Sequence, residues 1–118
     1  MSLERVRRRH LSSNLSRAKS RAKAQFIDID VNYLLGIGEK QGWKCALTGR
    51  PLEFKRSGEK TKININSCSI DRINSNAGYI EGNVQLVVAA VNKMKSDFEE
   101  SVFKKICEEV SVNDPSVL

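Results

Sequence analysis

The chain is short of the residues from which small domains build disulfide frameworks and zinc centres. Its three cysteines, Cys45, Cys68 and Cys107, are an odd number, and no two of them stand at CxxC spacing. This pattern argues against both a disulfide framework and a structural zinc site. We interpret them as reduced core thiols of a cytoplasmic protein, with a role as ligands as the alternative, and expect the fold to rely on packing.

Long apolar runs are also missing. No run approaches the roughly 20 apolar residues of a membrane span, and the basic N-terminus lacks the apolar core of a signal peptide. A membrane protein and a secreted protein are therefore disfavoured, whereas a transit peptide stays open on composition alone. With 118 residues, 40% of them apolar and 29% charged, the sequence predicts one soluble globular domain.

The positive charge of the chain is concentrated at its N-terminus. Residues 1–24 contain eight of the 20 Lys and Arg and one of the 14 acidic residues, a balance of +7, which leaves the other 94 residues at −1. Leu11, Leu15, Ala18 and Ala22 recur at helical spacing and predict a helix that buries one stripe and exposes its cations. Such a basic arm is typical of phosphate binding, and a solvated helix face is the alternative. The expected phosphate-binding residues are Arg7, Arg8, Arg9, Arg17, Lys19, Arg21 and Lys23.

The middle of the chain predicts a helix followed by two short strands. Asp30 suits the N-cap of the helix VNYLLGIGEKQ, which Gly42 ends. The stretch WKCALTGRPLEF then predicts a strand, a Thr-Gly turn and the entry to a second strand.

The C-terminal half predicts strand, loop, strand and helix. CSIDRI and VQLVV have strand character and are separated by NSNAGYIEGN, a turn segment with two glycines and three asparagines. The helix AAVNKMKS follows the second strand directly. The fold class is therefore α+β, and we divide the chain into a basic arm at 1–24, a main domain at 25–112 and a tail at 113–118.

A last helix is predicted over DFEESVFKKICEEV. Ser96 and Glu99 stand in front of it at the spacing of a capping box. Its apolar residues form one face at helical spacing. They are Val102, Phe103, Ile106, Cys107 and Val110.

Strand, loop, strand and helix are the elements of a ββα-metal unit, and polar residues stand where such a unit needs ligands. Asp71 lies at the centre of the first strand and Asn92 on the first turns of the helix. Mg²⁺ takes hard oxygen ligands and is commonly completed by water and phosphates, so one carboxylate and one amide oxygen suffice for a weak site. The alternative is that Asp71 pairs with a neighbouring Arg and that Asn92 caps a group locally.

The spacing of these residues resembles that of the HNH endonucleases. Their pattern is Asp-His on the first strand, an Asn opening the second strand, a His on the helix nine residues later, and a Lys after three more. Here Asn83 and Asn92 are nine residues apart and Lys95 follows three later. The segments FIDIDVNYL, KCALTGRPL, SIDRINSNAGYIEGNVQLV and VNKMKSDFEESVF look like a phage and bacterial branch of HNH-like proteins, over roughly residues 15–107.

The resemblance implies a role for each motif residue. Asp71 would bind the metal, and Asn92 would replace the helix His as second ligand. Asn83 would fix the loop by hydrogen bonds, and Lys95 would hold a phosphate. Arg72 occupies the position of the His that activates water. The implied fold is a ββα-metal hairpin and helix, with a basic N-terminal helix and flanking helices.

Arg72 is the departure from the family pattern. Arginine stays protonated at any accessible pH and cannot accept a proton from water, although its planar fork can grip a phosphate. Loss of a general base typically costs 10² to 10⁴ in rate, which leaves a slow enzyme. His10, the only histidine, is a minor alternative as the base and is more readily interpreted as an exposed or phosphate-facing residue.

Two functions follow from the resemblance. The first is a metal-dependent DNA endonuclease that hydrolyses phosphodiester bonds with one Mg²⁺ or Mn²⁺, while the arm grips the DNA backbone. The second is a DNA-binding module on a nuclease fold whose chemistry has lapsed, for which Arg72 is the evidence. RNA is a lesser option as partner. The sequence predicts neither the target site nor the oligomeric state.

Overall fold

The computed structural model describes residues 2–21, 26–55 and 62–113 as a mixed α+β fold. Lys23, Ala22 and all but the first residue of the predicted tail lie outside the described residues. The elements in chain order are α1 (Leu3–Arg21), β1 (Ile27–Asp28), α2 (Val31–Lys40), β2 (Cys68–Arg72), β3 (Tyr79–Ile80), β4 (Val84–Val88), α3 (Ala89–Lys95) and α4 (Glu100–Val112).

The centre of the fold is an antiparallel pair of strands followed by a helix. Strands β2 and β4 pair from Cys68 opposite Val88 to Arg72 opposite Val84, with Asp71 opposite Gln85. Strand β4 then continues into α3 without a connecting residue. The predicted strands CSIDRI and VQLVV and the helix behind them are confirmed.

The core lies where α1 and α2 cover this pair of strands. The stripe predicted on α1 is buried at Leu11, Leu15 and Ala18, and α1 runs unbroken past residues 12–14. It belongs to one buried cluster with Leu34 of α2 and Leu86 of β4, both fully buried. Each such side chain contributes about 1.5–3 kcal/mol, so this stripe fixes the basic helix against the hairpin.

Helix α2 begins as its sequence predicts. The side chain of Asp30 accepts a hydrogen bond from the backbone N–H of Tyr33, which satisfies one of the free donors of the first turn. The following segment differs from the prediction. Instead of two strands it contains only isolated bridges, between Lys44 and Pro51 and between Glu53 and Ser67.

The sequence did not predict the short parallel pairing of β1 with β3. Ile27 lies opposite Tyr79, and the N–H of Tyr79 donates to the carbonyl of Phe26 at 2.9 Å. The approach needs a glycine, since a Cβ on Gly78 would lie 2.0 Å from that carbonyl oxygen. The turn segment is thus held against the start of α2.

The predicted capping box is wrong. Ser96 has a φ of 50° and ends α3, where its N–H bonds the carbonyl of Asn92. Helix α4 begins only at Glu100, and Glu99 at its N-cap makes no side-chain capping bond. Among residues 2–21, 26–55 and 62–113, no helix has both the length and the apolar character to cross a membrane.

Candidate active site and basic groove

The seam between β2 and α3 contains a buried ion pair. The ammonium of Lys95 lies 2.8 Å from Asp71 Oδ2, and the two side chains are 1% and 4% exposed. The same ammonium donates to the backbone carbonyl of Arg72 at 2.9 Å. The predicted partner of Asp71 was a metal or a neighbouring Arg, whereas the structure gives it the lysine one turn beyond Asn92.

Further polar side chains extend this pair to the start of α4. The side-chain amide of Gln85 donates to Asp71 Oδ2 at 2.9 Å and to Glu100 Oε1 at 2.7 Å. Lys95 is also 3.8 Å from Glu100, and Lys104 lies 3.5 Å from the other oxygen of Glu100. Two carboxylates therefore face two ammonium groups and one amide, which leaves the network satisfied in charge and hydrogen bonds.

Asn92 lies along the same seam. Its amide donates to the hydroxyl of Ser69 at 2.7 Å. Alternate residues of a strand share a face, and residues three apart on a helix are neighbours. Ser69 and Asp71 therefore stand side by side on β2, opposite Asn92 and Lys95 on α3. The structure brings the two predicted metal ligands to adjacent places, but each already has a different partner.

Arg72 is held by its own loop. Its guanidinium donates to the carbonyls of Ser75 at 2.9 Å and Ala77 at 3.3 Å, and it stacks 5.2 Å from the ring centre of Tyr79. These contacts fix the turn between β2 and β3. A grip on a substrate phosphate would have to compete with them.

Asn83 forms hydrogen bonds with the backbone of the same loop. Its Oδ1 accepts from the N–H of Asn74 at 2.9 Å, and its amide donates to the carbonyls of Asn74 and Gly78 at 3.1 and 2.8 Å. With 9% of its surface exposed, Asn83 acts on the loop backbone.

The residues as arranged do not fit a divalent cation. An ammonium 2.8 Å from Asp71 Oδ2 stands where a cation would bind, and like charges at this range repel strongly in a buried site. The amide of Asn92 is turned to Ser69. Within the described residues, no group of three or more His, Cys, Asp and Glu could hold a metal ion. A metal ion could bind Asp71 only if the ammonium of Lys95 moved away from it.

A basic groove opens beside this seam, between α1 and α3. Its volume is about 390 Å³, and the charged side chains that line it, among the residues that the structure describes, are all positive: Arg17, Arg21 and Lys93. Asn14, Ser69 and Asn92 add polar groups. Arg17 is braced by hydrogen bonds to Ser13 and Asn14 of its own helix. The groove thus joins two residues of the predicted arm to a predicted metal ligand.

The other residues of the predicted arm lie elsewhere. Arg7 turns inward, with its guanidinium 4.1 Å above the ring of Trp43 and its Nε buried without a hydrogen-bond partner among the described residues. The guanidinium of Arg8 lies 4.0 Å from the carboxylate of Glu4. Arg9 and Lys19 are exposed but do not line the groove. The six described residues of the predicted phosphate-binding set therefore do not form one surface.

His10 is not positioned as a base for this seam. It is 8% exposed, and its Nε2 lies 2.8 Å from the carbonyl of Cys68. Its ring packs edge-on against Phe54. The interpretation of His10 as an exposed residue is wrong, because it lies on the buried side of α1 next to Leu11.

Sequence reasoning missed several polar residues of these two sites. Gln85 and Glu100 complete the ion-pair network, while Asn14 and Lys93 line the groove. Gln85 could have been found, because the predicted pairing of the two strands sets it opposite Asp71. Lys93 could have been found from its place beside Asn92. Asn14 and Glu100 carry no comparable signal.

Comparison with solved structures identifies a protein of similar fold. The chain is similar to the rare-cutting HNH restriction endonuclease PacI, with a TM-score of 0.59 and 21% identity over 84% of this chain and 72% of that one. The chain therefore has an HNH-like fold. In this fold β2 and α3 carry Asp71, Arg72, Asn92 and Lys95, and Asn83 directly precedes β4.

Sequence comparison adds a phage relative. The chain is 33% identical over 100 residues, 83% of its length, to an uncharacterized 29.0 kDa protein in the dda-modA intergenic region of Enterobacteria phage T4. It spans only 36% of that protein's length. No family model matches the chain.

Proposed function

We propose that this chain is a DNA-binding protein on an HNH-like fold, and that the groove between α1 and α3 holds the DNA backbone. The observation that carries the proposal is that the described charged residues lining that groove, Arg17, Arg21 and Lys93, are all positive. The basic arm at 1–24 and the domain at 25–112 would then act together, since one groove wall comes from each.

Phosphate chemistry supports this assignment. Guanidinium groups bind phosphate through paired N–H donors, and each neutralised phosphate releases counterions into solution. Asn14 and Ser69 can add neutral donors without repelling the phosphate. The HNH restriction endonuclease PacI, whose fold is similar, perturbs DNA, which favours DNA over RNA as the partner here.

The contacts of the motif residues favour binding without cleavage. Arg72 cannot act as a general base and is held by the carbonyls of Ser75 and Ala77. Asp71 is neutralised by Lys95 inside the protein. The protein would thus use the nuclease fold as a platform for DNA.

A metal-dependent DNA endonuclease is the second candidate. It is favoured by one observation, the adjacent places of Asp71 and Asn92 along the seam between β2 and α3. Cleavage with Mg²⁺ or Mn²⁺ would require Lys95 to exchange Asp71 for a substrate phosphate, the role that the family resemblance implies for it. Arg72 would then stabilise charge on the phosphate and not take up a proton.

Replacing the two groove arginines tests the binding site. Arg17→Ala and Arg21→Ala together are expected to weaken duplex binding about a hundredfold or more, because charged hydrogen bonds are worth roughly 1.5–3 kcal/mol each and each 1.4 kcal/mol is a factor of ten. The slope of log K against log salt should fall by about two. Fluorescence anisotropy at several salt concentrations measures both. Arg9→Ala with Lys19→Ala is the matched control, because it removes the same charge from α1 outside the groove; equal losses in both pairs would rule out the groove.

Supercoiled plasmid and a structured RNA, each incubated with Mg²⁺ and with Mn²⁺, separate the two candidates. The binding proposal expects retention of plasmid on a gel with no nicked product. Nicking that disappears in Asp71→Asn, while retention persists, would replace it with the endonuclease. Tighter retention of the RNA than of the plasmid would contradict DNA as the partner.

A further inference from the structure

The ammonium of Lys95 lies where three oxygens of the protein converge. Asp71 Oδ2 is 2.8 Å from it, the backbone carbonyl oxygen of Arg72 is 2.9 Å away, and Glu100 Oε1 is 3.8 Å away. Two of these oxygens come from β2 and the third from the first residue of α4. Carboxylate and carbonyl oxygens are the ligands that hard divalent cations take in proteins. The surroundings of this ammonium are therefore those of a metal ion.

The charges of the cluster require a cation at this point. Asp71 and Glu100 reach the same amide nitrogen of Gln85, at 2.9 and 2.7 Å, and two carboxylates so near each other repel unless a positive group lies between them. Lys104 contacts only the outer oxygen of Glu100, and its side chain is 61% exposed, so water screens its charge. Lys95, with 1% of its side chain exposed, is the inner cation.

We propose that the Lys95 ammonium is a built-in substitute for a divalent cation, and that the three oxygens around it form a metal site only when this ammonium is removed. A charge on a side chain of α3 cannot diffuse away. The two carboxylates are therefore held together, and the start of α4 stays joined to the hairpin, whatever the metal concentration. The proposal concerns the protein alone and does not depend on DNA binding.

Ca²⁺ is the suitable probe for the vacated site. It binds carboxylates and backbone carbonyls at about 2.3–2.6 Å in flexible geometry, whereas Mg²⁺ demands a near-ideal octahedron. Glu100 would have to move inward by about an ångström to reach such a distance. Because no residue of α4 is buried, this movement disturbs no core packing.

Removal of the lysine side chain tests the proposal. Lys95→Ala should bind one Ca²⁺ about a hundredfold or more tightly than the wild-type chain, in which the metal must first displace a paired ammonium. Isothermal titration calorimetry on the whole chain measures both affinities. Lys93→Ala is the matched control, because it removes the same charge from an exposed position of α3. It should leave Ca²⁺ binding as weak as in the wild type.

A second substitution tests the role of α4 in the site. Glu100→Gln added to Lys95→Ala should weaken Ca²⁺ binding about tenfold or more, because fewer charged ligands lower the affinity for Ca²⁺. Glu99→Gln in the same background is the control, since Glu99 is exposed and makes no side-chain capping bond. It should change the affinity by no more than about twofold.

Thermal unfolding gives a second readout that applies even if Lys95→Ala is partly unfolded without metal. Saturating Ca²⁺ should raise the melting temperature of Lys95→Ala and leave that of the wild type unchanged, because a ligand stabilises only a state that binds it. Wild-type protein that binds Ca²⁺, with or without DNA, and loses it in Asp71→Asn would overturn the proposal. So would a Lys95→Ala chain that binds Ca²⁺ no better than Lys93→Ala. Loss of DNA retention alone would instead overturn the proposed function and leave this assignment standing.

Discussion

Lys95→Met should destabilise the protein by about 3–5 kcal/mol, because it leaves the Asp71 carboxylate buried and without its counter-charge. Methionine keeps the length and apolar stem of lysine, so little of this loss comes from packing. The carbonyl of Arg72 would lose a donor as well. Urea unfolding monitored by circular dichroism measures the change in the free energy of unfolding.

Lys93→Met is the matched control for this prediction. Lys93 is two residues away on the same helix and is exposed, so the change should cost no more than about 0.5 kcal/mol. The double variant Asp71→Leu with Lys95→Met removes both charges and should recover more than half of the loss. A loss below about 1 kcal/mol in Lys95→Met alone would mean that the pair is solvated and weak.

The strength of this pair also bears on the choice between binding and cleavage. A divalent cation on Asp71 must first displace the Lys95 ammonium, at a cost of a few kcal/mol. Each 1.4 kcal/mol is a factor of ten in affinity, so the pair would weaken a metal by roughly two to three orders of magnitude. Only a phosphate that attracts Lys95 could offset this cost. The endonuclease candidate therefore ties metal binding to DNA binding, whereas the binding proposal requires no metal.

The sequence predicted the parts of the fold that depend on local periodicity. Apolar periodicity is visible within a few neighbouring residues in the stripe of Leu11, Leu15 and Ala18 and in the run from VQLVV into AAVNKMKS. The pairing of β1 with β3 joins segments about 50 residues apart, and no local pattern encodes it. The capping box failed for a related reason: Ser96 takes a left-handed conformation that ends α3, although its spacing to Glu99 suits a cap.

The sequence predicted the motif residues of the site by type and spacing but did not predict their partners. Lysine is almost never fully buried without a partner, so the default expectation places Lys95 at the surface. Its burial follows from the register of β2 against α3, which sets Asp71 beneath it. Likewise, the sequence alone shows that Arg72 cannot accept a proton from water. Its hydrogen bonds to the carbonyls of Ser75 and Ala77 depend on the conformation of the loop, which the sequence did not predict.

Asn83→Ala is expected to cost about 2–4 kcal/mol and to loosen the loop from residue 74 to residue 78. The change removes three hydrogen bonds to loop backbone and leaves the partly buried N–H and carbonyl of Asn74 and the carbonyl of Gly78 without that partner. Each such orphaned group costs roughly 1–3 kcal/mol. Thermal unfolding gives the stability change, and amide hydrogen exchange shows which N–H groups open.

Asn76→Ala is the control for that loss, since Asn76 lies in the same loop with its side chain exposed and should change stability by less than about 0.5 kcal/mol. The loop also carries the carbonyls that hold Arg72. If Asn83 acts through the loop, Asn83→Ala should speed exchange at residues 74–78 while the strand amides of β2 stay protected. Uniform loss of protection across β2 and β4 would instead mean that Asn83 supports the whole hairpin. The first result would make the loop a separate unit, whose release frees the guanidinium of Arg72 from the carbonyls that hold it.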